Sequence, residues 1–227
     1  MRPLSDSQRE ALEEATSRYQ AALTPDAAQW LDARGLSQDT AATARLGVVD
    51  DPLPGHGKFA GFLAIPFLDR NGQALQLRFR CLHDDGGVTH RCRDLGHGKY
   101  MSITGDPARM FNVRALHEAT DEIHVCEGEL DALILTQLNL HAVAIPGANL
   151  YQARHRRMLA GFSTVWCWGD PDDAGAELNQ KIVRSLRQAK AVNLRPEIGD
   201  VTDTYRTGGI DAIFTMIGRE VAQSWDE

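Results

Sequence analysis

The chain has 227 residues, with 24 Lys plus Arg against 31 Asp plus Glu, a formal charge of −7. The length suits one medium domain or two small ones and excludes a large modular machine. The acidic balance argues against a basic coat or architectural protein, but not against an enzyme that meets nucleic acid through metal ions. Hydrophobic content of 43% and charged content of 24% are ordinary for a globular chain. The cysteines Cys81, Cys92, Cys126 and Cys167 make no CxxC pair, so a reducing compartment is expected rather than a disulfide framework. No apolar run approaches the roughly 18 residues of a membrane span. The N-terminus, MRPLSDSQREALEE, lacks a signal-peptide core, so a cytoplasmic protein away from membranes is expected.

The first elements read as helical. Leu12, Ala15, Tyr19 and Ala22 recur at helical spacing between Ser5 and Leu23. Thr24-Pro25 reads as a cap and first-turn proline of a short second helix that Gly35 stops. Ser37 caps a third helix expected to end near Gly47. Phe59 to Phe67 and Ala74 to Cys81 then form two β-rich runs, and the Asn71-Gly72 turn between them signals a hairpin. Residues 83–99 are polar and glycine-rich, hence a loop.

From about residue 122 strands and helices alternate. Strands are expected at Ile123–Cys126, Ala142–Ile145, Thr164–Trp168 and Ala191–Leu194. Helices are expected at Gly128–Leu138, Tyr151–Ala160, Ala174–Lys190 and Gly209–Ala222. This alternation predicts a four-stranded, largely parallel α/β sheet with flanking helices. It follows a smaller α+β subdomain, and the division is placed between residues 1–115 and 116–227.

Three acidic segments fall at strand ends. Glu127 and Asp131 lie in VCEGELDAL, Asp170 and Asp172 in VWCWGDPDDAG, and Asp200 and Asp203 in IGDVTDTYRTGG. Ligands of open α/β sheets bind beyond the carboxyl ends of the strands, so these acids are expected to converge. Clustered carboxylates repel, and a divalent cation relieves the repulsion. Hard oxygen donors favour Mg²⁺ or Mn²⁺, one or two ions, and phosphoryl chemistry. The plainer reading of Asp172 or Asp173 is an N-cap of the helix that follows.

Glu-Gly-x-x-Asp after one strand and Asp-x-Asp after a later one resemble the TOPRIM domain, here over residues 122–207. That domain occurs in bacterial-type primases, type IA and type II topoisomerases, RecR-type proteins and certain nucleases. The resemblance implies that Glu127, Asp170 and Asp172 bind metal, with Asp131, Asp200 and Asp203 in support. Upstream, Ile65-Pro66-Phe67-Leu68-Asp69, Gly72-Gln73-Ala74, Arg78-Phe79-Arg80 and Lys99-Tyr100-Met101-Ser102 resemble the N-terminal subdomain of a primase polymerase core, though Met101-Ser102 departs from the family's pattern. Leu31 to Gly47 resembles the helical lead-in of that core. What the resemblance implies is a phage-type primase core that makes short RNA primers on single-stranded DNA from ribonucleoside triphosphates. A zinc-binding module and a replicative helicase would then be separate polypeptides. A TOPRIM nuclease and a non-catalytic RecR-like DNA-binding module are the alternatives.

Basic residues concentrate between the two halves of this pattern. Arg78 and Arg80 alternate along one strand and share a face. Together with Lys99 and Arg109 they are candidates for binding template phosphate or a triphosphate, and Arg80 and Lys99 are placed closest to the chemistry. Arg91, Arg93 and Arg114 fall in the same stretch, while Arg154, Arg156 and Arg157 read as a surface cluster. Cys81-x-His83 and His90-x-Cys92 carry zinc-type ligands. One intervening residue is tighter than the usual two to four, so the sequence argues against a structural zinc ion there.

Overall fold

The computed structural model describes residues 3–83, 92 and 94–220. The chain divides into two compact units, Met1–Arg109 and Met110–Glu227. Met110 and Ala115 pack in the core of the second unit, which places the division a few residues before residue 115.

In the first unit, α1 (Asp6–Ala21) opens on a complete capping box. Ser5 accepts from the Gln8 amide, and Gln8 accepts from the Ser5 amide. Helix α2 (Pro25–Asp32) has Thr24 as cap and Pro25 in its first turn. Helix α3 (Gln38–Thr43), capped by Ser37, is shorter than expected. Arg45 ends it in the left-handed region (φ 56°), anchored by ion pairing to Glu13 at 2.7 Å. Gly47 is therefore not a helix stop but the start of β1 (Gly47–Val48). A Cβ there would lie 2.0 Å from the Tyr19 carbonyl oxygen of α1, so only glycine permits the crossing.

The sheet is an antiparallel meander in the order β1, β2 (Leu63–Leu68), β3 (Ala74–Arg80), β4 (Tyr100–Ser102). Strand β2 begins at Leu63 rather than Phe59, because Gly57–Phe59 forms a 3-10 turn. Pro66 fits inside β2 because β1 pairs only with Leu63 and Ala64, leaving Pro66 with β3 as its one ladder partner. The hairpin turn is closed by Asp69, whose Oδ1 accepts from the Asn71 and Gln73 amides, with Gly72 at φ 82°. One face of the sheet buries Leu77 and Phe79 with Ala15 and Tyr19 of α1. Phe59 stacks on Phe79 at 3.8 Å between ring centroids.

The second unit begins with the short helix α4 (Ala115–Glu118) and then alternates: β5 (Glu122–Cys126), α5 (Glu129–Gln137), β6 (Ala142–Ala144), α6 (Ala153–Leu159), β7 (Thr164–Trp168), α7 (Asp173–Ser185), β8 (Ala189–Ala191), α8 (Val201–Met216). The four strands are all parallel in the order β6-β5-β7-β8. Ile123, Val125, Val143, Val165 and Cys167 are buried at the centre, as strands covered on both faces require. Two boundaries differ from expectation. Helix α7 stops at Ser185 because Ala189 pairs with Val165, so β8 begins two residues before Ala191. The last helix begins at Val201, not Gly209. Gly209 (φ 62°) marks a kink inside it, and Ala222 lies outside the described residues.

No helix among the described residues is long and apolar enough to cross a membrane.

Candidate active site

The acids are set at the carboxyl ends of β5 and β7 and at the start of α8. Glu127 follows β5 directly, and Asp131 sits in the first turn of α5. Between them, a Cβ on Gly128 would lie 2.3 Å from Asp131 Oδ2, so the glycine lets the carboxylate fold back over the turn. Asp170 follows β7 across Gly169, whose amide is held by Asn179 Oδ1 at 2.9 Å. The Asp170 backbone packs on Gly175 of α7 so closely that a Cβ there would lie 2.1 Å from the Asp170 carbonyl oxygen.

Asp172 caps α7 with its Oδ1 accepting from the Gly175 amide at 2.9 Å. Asp200 caps α8, accepting from the Asp203 amide at 2.8 Å. The plainer reading of Asp172 is thus correct as far as it goes: one oxygen is a cap. The same contact aims the side chain, because a capping carboxylate lies at the positive end of its helix.

Five of the six acids act on one another. Burial first, then the charges on Asp172 and Asp131, raise the Glu127 carboxyl above its ordinary value. Burial, then Asp200 and Asp170, push Asp131 up to about 8, against two hydrogen bonds from Thr202 that favour its charged form. Those bonds run to Asp131 Oδ1 from the Thr202 amide (3.0 Å) and hydroxyl (2.7 Å). The sixth, Asp203, donates its amide to Asp200 Oδ1, and its own Oδ1 lies 3.4 Å from Arg206 one turn along the helix.

This donor set fits a hard divalent cation. It consists of carboxylate oxygens, their mutual repulsion is relieved by a positive ion, and Glu127 Oε2 is buried without a hydrogen-bond partner among the described residues. One contributor is not evident from the sequence: Thr202 holds Asp131 across 71 positions. The Asp-Val-Thr-Asp cap marks Thr202 as a first-turn residue but not its target.

The cations of the first unit are arranged differently. Arg80 is buried, with its guanidinium 4.5 Å from the Trp30 ring centre and 5.2 Å from that of Tyr100. Arg78 lies over Tyr100 at 4.7 Å and Arg34 over Trp30 at 3.4 Å. Arg78 and Arg80 do share a face, and the aromatic rings give that face its shape. Lys99 is exposed and Arg109 half-buried. His83 is exposed, while His90, Arg91 and Arg93 lie outside the described residues. On α6, Arg156 donates to the Ser185 carbonyl at 2.9 Å, a surface role.

Residues 124–205 match the Toprim-like family. A curated relative, the Gene 57 protein of Mycobacterium phage D29, is 29% identical over 163 residues, covering 70% of this chain and 99% of that protein. Among solved structures, the chain is similar to the RNA polymerase domain of Mycobacterium tuberculosis primase DnaG in complex with a double-stranded DNA oligomer with a 6-nucleotide overhang. The TM-score is 0.73 at 19% identity, over 96% of this chain and 81% of that one. The primase fragment of the bacteriophage T7 primase-helicase protein is similar at TM-score 0.60 and 20% identity, over 82% and 72%. Residues 124–205 of the second unit are thus similar to Toprim-like domains, and the chain has the fold of DnaG primase catalytic cores.

Proposed function

We propose that the chain is a DNA primase catalytic core that synthesises short RNA primers on single-stranded DNA during phage replication. The observation that carries this is the convergence of Glu127, Asp131, Asp170, Asp172 and Asp200 in a Toprim-like domain on a DnaG-core fold.

Glu127, Asp170 and Asp172 hold one or two Mg²⁺ or Mn²⁺ ions, with Asp131 and Asp200 completing the acidic environment. When bound, such ions acidify a 3′-hydroxyl and neutralise charge on the transferring phosphoryl group. The α7 and α8 caps fix Asp172 and Asp200 before substrate arrives, and Thr202 keeps one Asp131 oxygen occupied so that the carboxylate holds one orientation. Asp203, paired with Arg206, serves the α8 start rather than the ion. Arg78, Arg80, Lys99 and Arg109 bind triphosphate or template backbone. No side chain of the group needs to act as a general base.

The Mycobacterium tuberculosis relative was solved with DNA and the T7 relative is part of a primase-helicase. The overhang of that DNA supports a single-stranded template and the primase-helicase supports a helicase partner; ribonucleoside triphosphates, a separate zinc module and the host cytoplasm belong to the same proposal.

The test is incubation with single-stranded DNA, Mg²⁺ or Mn²⁺ and labelled ribonucleotides. Wild type should yield short RNA, and Asp170→Ala should lose at least about 10³-fold, since metal stabilisation of the transition state is worth several kcal/mol. DNA cleavage without synthesis would move the reading to a nuclease. DNA binding with neither activity would move it to a binding module.

A further inference from the structure

We propose that Cys81, Cys92 and His97 form a zinc site that fastens the connection between β3 and β4. The sulfur atoms of the two cysteines and one ring nitrogen of His97 all lie within 4.8 Å of one another. Bond lengths of about 2.3 Å to sulfur and about 2.0 Å to nitrogen separate tetrahedral donors by about 3.5–3.8 Å. Small side-chain rotations therefore close the set around an ion. Two thiolates and an imidazole are the soft and borderline donors that select Zn²⁺ over Mg²⁺ or Mn²⁺, and binding releases the two thiol protons to solvent.

Two buried thiols in a core are by themselves ordinary, and Cys81 and Cys92 do pack among Phe62, Phe79 and Met101. The local backbone and His97 point beyond that. The Cys92 carbonyl accepts from both the Leu95 amide (3.2 Å) and the His97 amide (3.0 Å), curling the chain so that the side chains of Cys92 and His97 turn inward together. Cys92 and His97 are separated by four residues, a usual ligand spacing. The His97 ring is fixed edge-on against Phe62 at 5.2 Å between centroids. Its Nδ1 lies 3.2 Å from the Gly98 carbonyl oxygen, which only accepts, so Nδ1 carries the proton and the lone pair is on Nε2. A backbone carbonyl holding the far nitrogen is the usual support of a metal-binding histidine.

The sequence reading paired each cysteine with a histidine two positions away. The folded chain selects His97 because Cys81 directly follows β3 and its amide donates to the Lys99 carbonyl at 2.9 Å, drawing residues 94–99 alongside. Three protein donors leave a fourth position for water or another donor. The ion would hold the start of β4, where Tyr100 pairs with Arg80, in register. The proposal rests on the first unit alone and not on the primase reading.

Elemental analysis of the full chain, purified under reducing conditions without chelator and then equilibrated with zinc and desalted, tests it. Wild type should retain about one zinc per chain. His97→Ala, a change at a half-exposed position, should retain at least tenfold less while keeping its far-UV circular dichroism, and His97→Cys should restore it. Cobalt loaded into wild type should show thiolate charge-transfer bands, a readout that does not depend on any variant folding. Wild type without zinc overturns the proposal. So does zinc that survives His97→Ala but disappears in Asp170→Asn, since the ion would then sit among the acids.

Discussion

The two units handle concentrated charge in opposite ways. In the first, the guanidinium groups of Arg34, Arg78 and Arg80 lie over Trp30 and Tyr100, so aromatic faces take up cationic charge along β3. In the second, five carboxylates crowd the strand ends with helix caps and Thr202 as partial support, and Glu127 and Asp131 are left with raised affinity for protons. A cluster whose acids hold protons too tightly is one arranged for a cation. The difference teaches that the basic face is spread over aromatic rings as folded, whereas the acidic one keeps an unrelieved repulsion that the proposed metal binding would relieve.

The largest effect on this contrast should come from Gly175→Ala. The added methyl meets backbone at 2.1 Å, which cannot swing aside, so about 3 kcal/mol or more of stability should be lost in urea unfolding. A loss under about 0.5 kcal/mol would mean that the Asp170 turn is not fixed by α7. Next is Thr202→Val, which removes the hydroxyl donor to Asp131. Primer synthesis should fall about 10–100-fold with the midpoint of metal activation moved to higher concentration. An unchanged midpoint would remove Thr202 from the site.

In the first unit, Tyr19→Phe should cost about 1–2 kcal/mol, measured by thermal unfolding, without altering metal activation. The hydroxyl accepts from the Leu53 amide at 3.1 Å and shares a hydrogen bond with His56 Nδ1 at 2.7 Å. A shifted metal response would break the separation between the units' roles.

The smallest effect concerns Glu122 at the opposite end of β5. The neighbouring His124, then the Trp166 N–H and the Arg219 guanidinium, hold its carboxyl down to about 2 against the opposing effect of burial. A carboxyl held low in the folded state stabilises above its ordinary value of 4.5 and loses that contribution as pH falls toward about 2. The difference in Tm between wild type and Glu122→Gln should therefore be constant above pH 5 and shrink below it. A gap independent of pH would show that the carboxylate charge contributes nothing.

Much of the second unit was legible in the sequence. Its strands are short apolar runs with acids directly after them, and the order of elements leaves few topologies. The boundary error at α7 has a tertiary cause: Arg187 to Lys190 reads as helix by composition, but pairing with β7 outweighs propensity at Ala189 and Lys190. In the first unit the caps at Thr24 and Ser37 were readable because each is a local contact three residues long. Gly47 was misread because its requirement for glycine comes from Tyr19, 28 positions away.

What the sequence determined by itself is the set of parts: a parallel α/β unit, an upstream hairpin, and acids in three segments at strand ends. It also located the acidity, since the six site acids account for most of the −7 charge. The tertiary structure decided the groupings. It paired the Asp203 carboxylate with Arg206, enclosed Arg80 between two rings, gave Asp131 its Thr202 partner and put His97, not His83, beside Cys81 and Cys92. Periodicity and capping act over three or four residues and can be read along the chain. These groupings join positions up to 71 apart, and only packing brings them within reach of a hydrogen bond or a metal ion.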